Sequence, residues 1–270
     1  MTGASGTRVV LLTGEDAAHC YVAHTLATRT GLAGIVCVTP PPRSARSQIR
    51  TYLRRYGARG VVERSLLRVV LQASGENRRR QDELSRLLGA AEFPAQVETV
   101  GTTGVNSAET VAALTKMAPD ILCVYGTAVV RDKVLSLAPR IALNLHTGIS
   151  PRYRGADCAF WPLHNGEPEW IGATVHECTS AIDGGSIFGV RRASLEGDEG
   201  VAGVFARAVI TGASLYSEVV NDVLAGRALA QPQDLAQGRE YRAANRDWHA
   251  ELRVHRELRS GLLRQQHASG

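Results

Sequence analysis

What this 270-residue chain has little of narrows its class before any motif is read. No apolar run approaches the roughly 20 residues that cross a bilayer, and Met1 to Gly6 lacks the charged stretch and apolar stretch of a secretory leader. The expectation is a cytoplasmic protein with no membrane partner. Cysteines are few and scattered: Cys20, Cys37, Cys123, Cys158 and Cys178 are odd in number, lie mostly in apolar runs and form no C-x-x-C pair. That argues against a disulfide framework and against a cysteine metal site, so no metal is expected. Lysine is almost missing, because Lys116 and Lys133 are the only lysines among 31 basic residues. The net charge of +5 is thus an arginine excess, which codon bias explains as readily as a nucleic-acid partner. No internal repeat and no low-complexity linker interrupts the chain.

What is there alternates. Arg8 to Thr13 is a continuous apolar run stopped by Gly14, the signature of a buried parallel strand, and helical spacing follows from Glu15 to Thr28. Gly34 to Thr39 gives a second strand, closed by Pro40-Pro41-Pro42. Residues 43–90 break the rhythm with twelve arginines against Glu63, Glu76, Asp82 and Glu83. Apolar residues recur among these charges at helical intervals, so two or three basic amphipathic helices are predicted there. Solvated faces or an anion-binding surface would both produce that pattern. With Tyr52 and Tyr56 as the interleaved aromatics, a base-stacking platform is poorly supported and nucleic acid is not the expected partner.

Strands then follow at Val97–Val100, Asp120–Tyr125 and Ile141–His146, separated by helices at Ser107–Met117 and Arg131–Leu137. Ser107 is the expected N-cap, with Glu109 in the first turn and Pro119 past the end. Such alternation predicts an α/β fold, a Rossmann-like, mostly parallel sheet with helices on both faces and ligands beyond the carboxyl ends of the strands. Further on, Cys158–His164 reads as helix, Ile171–Cys178 and Ile187–Val190 as strands, and Gly200–Leu224 and Arg242–Leu263 as helices. The expected organisation is a catalytic domain over 1–190, with the helical insertion inside it, and a helical extension over 191–270.

Asn144 and His146 sit two apart at the end of a strand, which puts both side chains on one face. An amide donor beside an imidazole suits stabilisation of charge on a carbonyl oxygen together with movement of a proton. Asp183 precedes Gly184-Gly185, where the two glycines are expected to form a tight turn that aims the carboxylate. Each residue alone is more often structural; the three together point to one site.

These residues belong to a longer pattern: Asn144-x-His146, Pro151-Arg152-Tyr153-Arg154-Gly155, Asn165-Gly166-Glu167, Gly172-Ala173-Thr174-Val175-His176, and Asp183-Gly184-Gly185 with Ile187. The pattern resembles the signature of folate-dependent formyltransferases. The resemblance implies a 10-formyltetrahydrofolate donor, a catalytic trio of Asn144, His146 and Asp183, and transfer of the formyl group to an amine. It also implies a pterin pocket lined by Ala128, Val129, Val130 and Leu135 from one loop and by Cys178, Thr179 and Ile182 from another.

The acceptor side departs from the family. Thr147-Gly148-Ile149-Ser150 stands where many members have Pro-Ser-Leu-Leu, and Gly14-Glu15-Asp16 puts two carboxylates where a phosphate-binding loop would be neutral. Asp16, Gly148, Ser150 and Arg152 are therefore the candidate acceptor contacts, for a cationic or polar small-molecule amine; Asp16 could equally be a helix N-cap. A nucleotide-linked amino sugar, or hydrolysis of the formyl donor, are the alternatives. An inactive folate-binding or RNA-associated homologue is a third, against which the intact trio argues. The polar C-terminal helices leave a homodimer open.

Overall fold

The computed structural model describes residues 6–42, 44–73, 76–89 and 92–267. Met1 to Ser5, read above for a leader, and Arg43, the first arginine of the basic segment, lie outside the described residues. Chain order is β1 (Val9–Thr13), α1 (Ala17–Thr30), β2 (Leu32–Val38), α2 (Ala45–Ala73), α3 (Glu76–Leu88), β3 (Thr99–Thr102), α4 (Ala108–Met117), β4 (Ile121–Tyr125), α5 (Asp132–Leu135) and β5 (Ile141–His146). It continues with β6 (Tyr153–Gly155), α6 (Trp161–Asn165), β7 (Gly172–Glu177), β8 (Ile187–Arg192), α7 (Val201–Leu224), β9 (Arg239–Tyr241), α8 (Trp248–Arg259) and α9 (Leu262–His267). The third strand begins two residues later than the sequence suggests, and the last long helical stretch divides into α8 and α9.

Seven strands form one sheet in the order β3-β2-β1-β4-β5-β7-β8. The first five pair in parallel, while β7 and β8 are antiparallel. All five residues of β1 and of β4 are buried, because both sheet faces are covered. Period-two alternation sorts their side chains. Val9, Leu11, Ile121 and Cys123 pack against α1 and α7, whereas Val10, Leu12, Leu122 and Val124 pack against α4 and α5. Strand order reverses between β1 and β4, which opens a crevice at their carboxyl ends.

The segment after 190 does not begin as an appendage. α7 carries Ala206, Val209, Ala213, Tyr216 and Val220 into the same core as β1, β4 and β5. Gly212 lets it approach the sheet, since a Cβ there would lie 2.9 Å from Ala173 Cβ and from Leu145 Cδ1. A boundary at 190 would therefore cut through one packed unit, while α8 packs with β6, α6 and Leu195 in a second cluster. Within the basic insertion, α3 is docked: Leu84, Leu87 and Leu88 reach the main core. α2 is one long helical stretch broken at Gly57, whose φ of 68° is non-helical. No described helix is long and apolar enough to cross a membrane.

Tyr216 fastens α7 to the strands beneath the crevice. Its hydroxyl is fully buried, accepts the Val124 N–H at 2.8 Å and donates to the Leu143 carbonyl at 2.7 Å, one residue before Asn144. Tyr216→Phe leaves both backbone groups without that partner. The expected cost is about 1–3 kcal/mol, seen as a lower urea midpoint at unchanged slope.

Candidate active site

The crevice is a cleft of about 740 Å³ walled by the loop after β4, the ends of β5 and β7, the 178–183 loop and residues 240–243. At its floor β5 and β7 run antiparallel with Asn144 directly opposite His176. Cross-strand pairing on one face brings the two side chains together. Asp183 joins them from the loop between β7 and β8, with Oδ1 3.3 Å from His176 Nε2 and Oδ2 3.4 Å from His146 Nδ1. The predicted trio is thus assembled, with His176 as a fourth member. Its role was not legible in the sequence because only strand pairing sets it opposite Asn144.

Ring partners fix the protonation pattern. A carbonyl can only accept, so the contact of His146 Nε2 with the Tyr153 carbonyl at 2.9 Å places a proton on Nε2 and leaves Nδ1 facing Asp183. Burial, the nearby His176 and Arg154 lower the pKa of His146, with Asp183 opposing, so the ring is held neutral with Nδ1 ready to accept a proton. In His176 the Glu177 carbonyl takes the Nδ1 proton at 2.8 Å. Its Nε2 therefore accepts from Asn144 Nδ2 at 3.1 Å, which orients the amide. Burial opposes ionisation of Asp183, but His146, His176 and the Gly155 N–H, which donates to Oδ2 at 2.7 Å, hold its carboxyl well below the usual range.

The Asp183 turn works differently from the expectation. Asp183 itself takes the left-handed conformation, at φ 44°, and not the glycines after it. Gly185 is required instead by close approach, since a Cβ there would lie 2.1 Å from the Glu177 carbonyl oxygen. The strained loop is held from below by Gln233, whose amide donates to the Asp183 carbonyl at 3.0 Å and to that of Gly185. β9 lies parallel to β6, so that Gly155, at φ 90°, passes against the Tyr241 carbonyl where any Cβ would clash at 2.2 Å. The chain after α7 therefore supports the carboxylate twice, through Gln233 and through Gly155.

Ala128, Val129, Val130, Cys178, Thr179 and Ile182 line the cleft as a group. Val129 is 50% exposed and Ile182 44% exposed. Apolar surface left open beside backbone polar groups fits a flat heterocycle. Leu135 does not join them; it packs in α5 against the core on that side of the sheet. The expected acceptor contacts also lie elsewhere. The Gly148 carbonyl accepts from Thr174 Oγ1, which in turn accepts the Ser150 N–H, behind His146. Arg152 forms a two-pronged ion pair with Glu167 at 2.6 and 3.1 Å and stacks over Trp170 at 4.6 Å. Glu167 also takes the Tyr153 hydroxyl at 2.5 Å, so Arg152 braces the strand that holds His146. Asp16 is the N-cap of α1, its carboxylate accepting the Ala18 and His19 N–H groups.

Two parts of the wall escaped the sequence reading. His19, one turn into α1, lines the cleft; its Nδ1 accepts the Gly14 N–H at 2.9 Å, and it packs on Tyr125 at 5.0 Å. Burial lowers its pKa, with Asp16 opposing. Glu240 to Ala243 line the opposite side, where Tyr241 stacks on Trp161 at 4.5 Å. A three-residue strand in a polar stretch leaves no alternation to read.

A doubly covered, mostly parallel sheet with an amide, two imidazoles and a carboxylate at its switch point defines an acyl-transfer class of site. Residues 9–220 match the formyl transferase domain, and the chain belongs to that family. It is 32% identical over 130 residues to the methionyl-tRNA formyltransferase of Mycobacterium avium, a stretch covering 47% of this chain and 40% of that protein. The chain thus matches about two fifths of that curated relative's length. Among solved structures, a sugar N-formyltransferase from a Shewanella species superposes with a TM-score of 0.56 at 14% identity, covering 93% of this chain and 86% of that one. Glycinamide ribonucleotide transformylase 1 from Symbiobacterium toebii gives 0.53 at 18% identity, over 85% and 95% of the two chains. At these identities the likeness is one of fold.

The protonation pattern predicts a pH profile. The acid limb of kcat/KM falls at a pH below 6.5, because protonating a buried His146 removes its acceptor lone pair. Asp183→Asn removes the charge that stabilises the imidazolium, so the limb moves to still lower pH while the rate falls by about 10²–10⁴. Gln233→Ala loosens the loop without touching the cluster. It is expected to lower kcat about tenfold with little change in the KM of the donor, and Gln233→Asn is expected to recover part of that loss.

Proposed function

We propose that this chain transfers a formyl group from 10-formyltetrahydrofolate to the amine of a small molecule. The observation that carries the reading is the Asp183 carboxyl set between His146 and His176, with the Asn144 amide fixed beside them. The acceptor nitrogen attacks the formyl carbon, and the carbonyl electron pair moves onto oxygen. The Asn144 amide, held by His176 at 3.1 Å and reaching Asp183 Oδ1 at a longer 3.5 Å, can turn that weaker contact toward the oxygen. His146 Nδ1 takes the proton shed by the nitrogen, and Asp183 stabilises the imidazolium. As the bond from the formyl carbon to the folate nitrogen breaks, the proton passes to that nitrogen and tetrahydrofolate leaves. The walls Ala128–Val130 and Cys178–Ile182 would hold the pterin.

The acceptor we favour carries no phosphate at the β1 loop. Three amides an anion could use there are already engaged: Asp16 takes those of Ala18 and His19, and His19 takes that of Gly14. Glu240, 3.5 Å from Arg242, adds a carboxylate to the opposite wall, and an amine that displaced the arginine would be met by it. A nucleotide-linked amino sugar is the second reading, favoured by Arg242, a largely exposed cation on the same wall, for a diphosphate. Water in place of the amine would make the same cluster a hydrolase.

Tetrahydrofolate release, followed with the donor alone and then with panels of free amines and nucleotide-linked amino sugars, separates these readings. Release that needs a free amine, survives Arg242→Ala with unchanged acceptor KM, and falls by about 10²–10³ in Asn144→Ala is expected. Release without an amine, or equal release from Asn144→Ala, contradicts the proposal.

A further inference from the structure

The site makes no use of the stretch α2. It lies against α3 and α8 at the edge of the body, and its described side chains are not those of a merely solvated face. Ile49, Leu53, Val62, Leu66 and Val69 all stand exposed, with 43–67% of their surface in solvent. Before the break at Gly57, Ile49 and Leu53 are one turn apart. After it, Val62, Leu66 and Val69 follow the i, i+4, i+7 spacing of a single helical stripe. Arg46, Arg50, Arg54 and Arg59 are exposed on the same two pieces. Aliphatic side chains aligned in water over such a length are a contact surface rather than the scatter found on any protein exterior.

We infer that α2 is a peripheral membrane-binding element that lies flat on anionic phospholipid. Aliphatic side chains enter the boundary between headgroups and acyl chains while the arginines meet lipid phosphates, which guanidinium groups bind with two parallel hydrogen bonds. Charge complementarity selects this occupant. Residues 43–90 hold twelve arginines against four acidic residues, so two copies of α2 would meet with like charges. Nucleic acid would satisfy the arginines but not the aliphatic stripes. The pieces on either side of Gly57 run roughly 18 and 24 Å at the rise of an α-helix, and a lipid interface is apolar and anionic along each. The lack of a helix that could cross the bilayer bears on spanning alone; a helix that lies on the surface needs no such run. α2 follows the carboxyl end of β2, the end of the sheet at which the cleft opens.

Co-sedimentation of the full chain with vesicles tests this. Binding to phosphatidylcholine vesicles containing phosphatidylglycerol, weak binding to pure phosphatidylcholine and weakening by salt are expected. The double variant Leu53→Asp/Leu66→Asp should bind about tenfold more weakly or worse. Arg46→Gln/Arg50→Gln/Arg54→Gln should bind more weakly and with a shallower salt dependence. Both variants should keep the thermal midpoint and the affinity for 10-formyltetrahydrofolate, which separates lost attachment from misfolding. Three results would overturn the inference: no binding to anionic vesicles, equal binding by the double variant, or a dimer or an oligonucleotide complex that forms more tightly than the vesicle complex and is lost in the same variants.

Discussion

A carboxylate taken out of water beside imidazoles is stable only if its charge is met at close range; alone it would take up a proton. Asp183 is in that position, with only 13% of its side chain exposed: the Gly155 N–H donates to Oδ2, the Asn144 amide reaches Oδ1 at 3.5 Å, and each imidazole beside it would carry a matching charge once protonated. Everything else in the cleft can be read from that constraint. His146 must keep Nδ1 toward the carboxylate, so its other nitrogen is tied to Tyr153. His176 must present an acceptor to Asn144, so its Nδ1 is tied to Glu177. Tyr153 must not move, so Arg152, Glu167 and Asn165 brace it.

The cost of the arrangement is carried outside the sheet. Asp183 occupies a left-handed conformation that a glycine would adopt more readily, and loops of that kind persist only where surrounding structure over-determines them. Here the over-determination comes from the chain after α7. Gln233 holds the backbone of the loop, and β9 holds Gly155 against the carboxylate. The same strand places Glu240 to Ala243 on the wall of the cleft. The C-terminal chain is thus both the support of the Asp183 carboxylate and a side of the cleft.

Much of the fold was legible because it depends on local patterns. Buried parallel strands read as unbroken apolar runs, Ser107 capped its helix as its spacing required, and Ile141–His146 has the bounds its pattern suggested. Asn144, His146 and Asp183 were legible because strand periodicity and a Gly-Gly turn mark them. Gly148 and Ser150 were expected on the acceptor side because the run after His146 departs there from the family, with Arg152 just beyond, but the chain turns behind the ring and packs away from the cleft. His176 stands in the quoted pattern, but its place opposite Asn144 follows from which strands lie side by side, and His19, on α1, carries no local mark. Leu135 was set with its loop neighbours, yet one helical turn rotates it into the core.

The tautomer of His146 is the most direct point at which this account can fail. Nitrogen-15 imidazole spectra across pH, assigned through His146→Gln, should show a neutral ring protonated at Nε2 at pH 7 and titrating below 6.5. A ring protonated at Nδ1, or one that titrates above 6.5, would contradict the reading of Asp183 as the group that waits to stabilise a newly formed imidazolium.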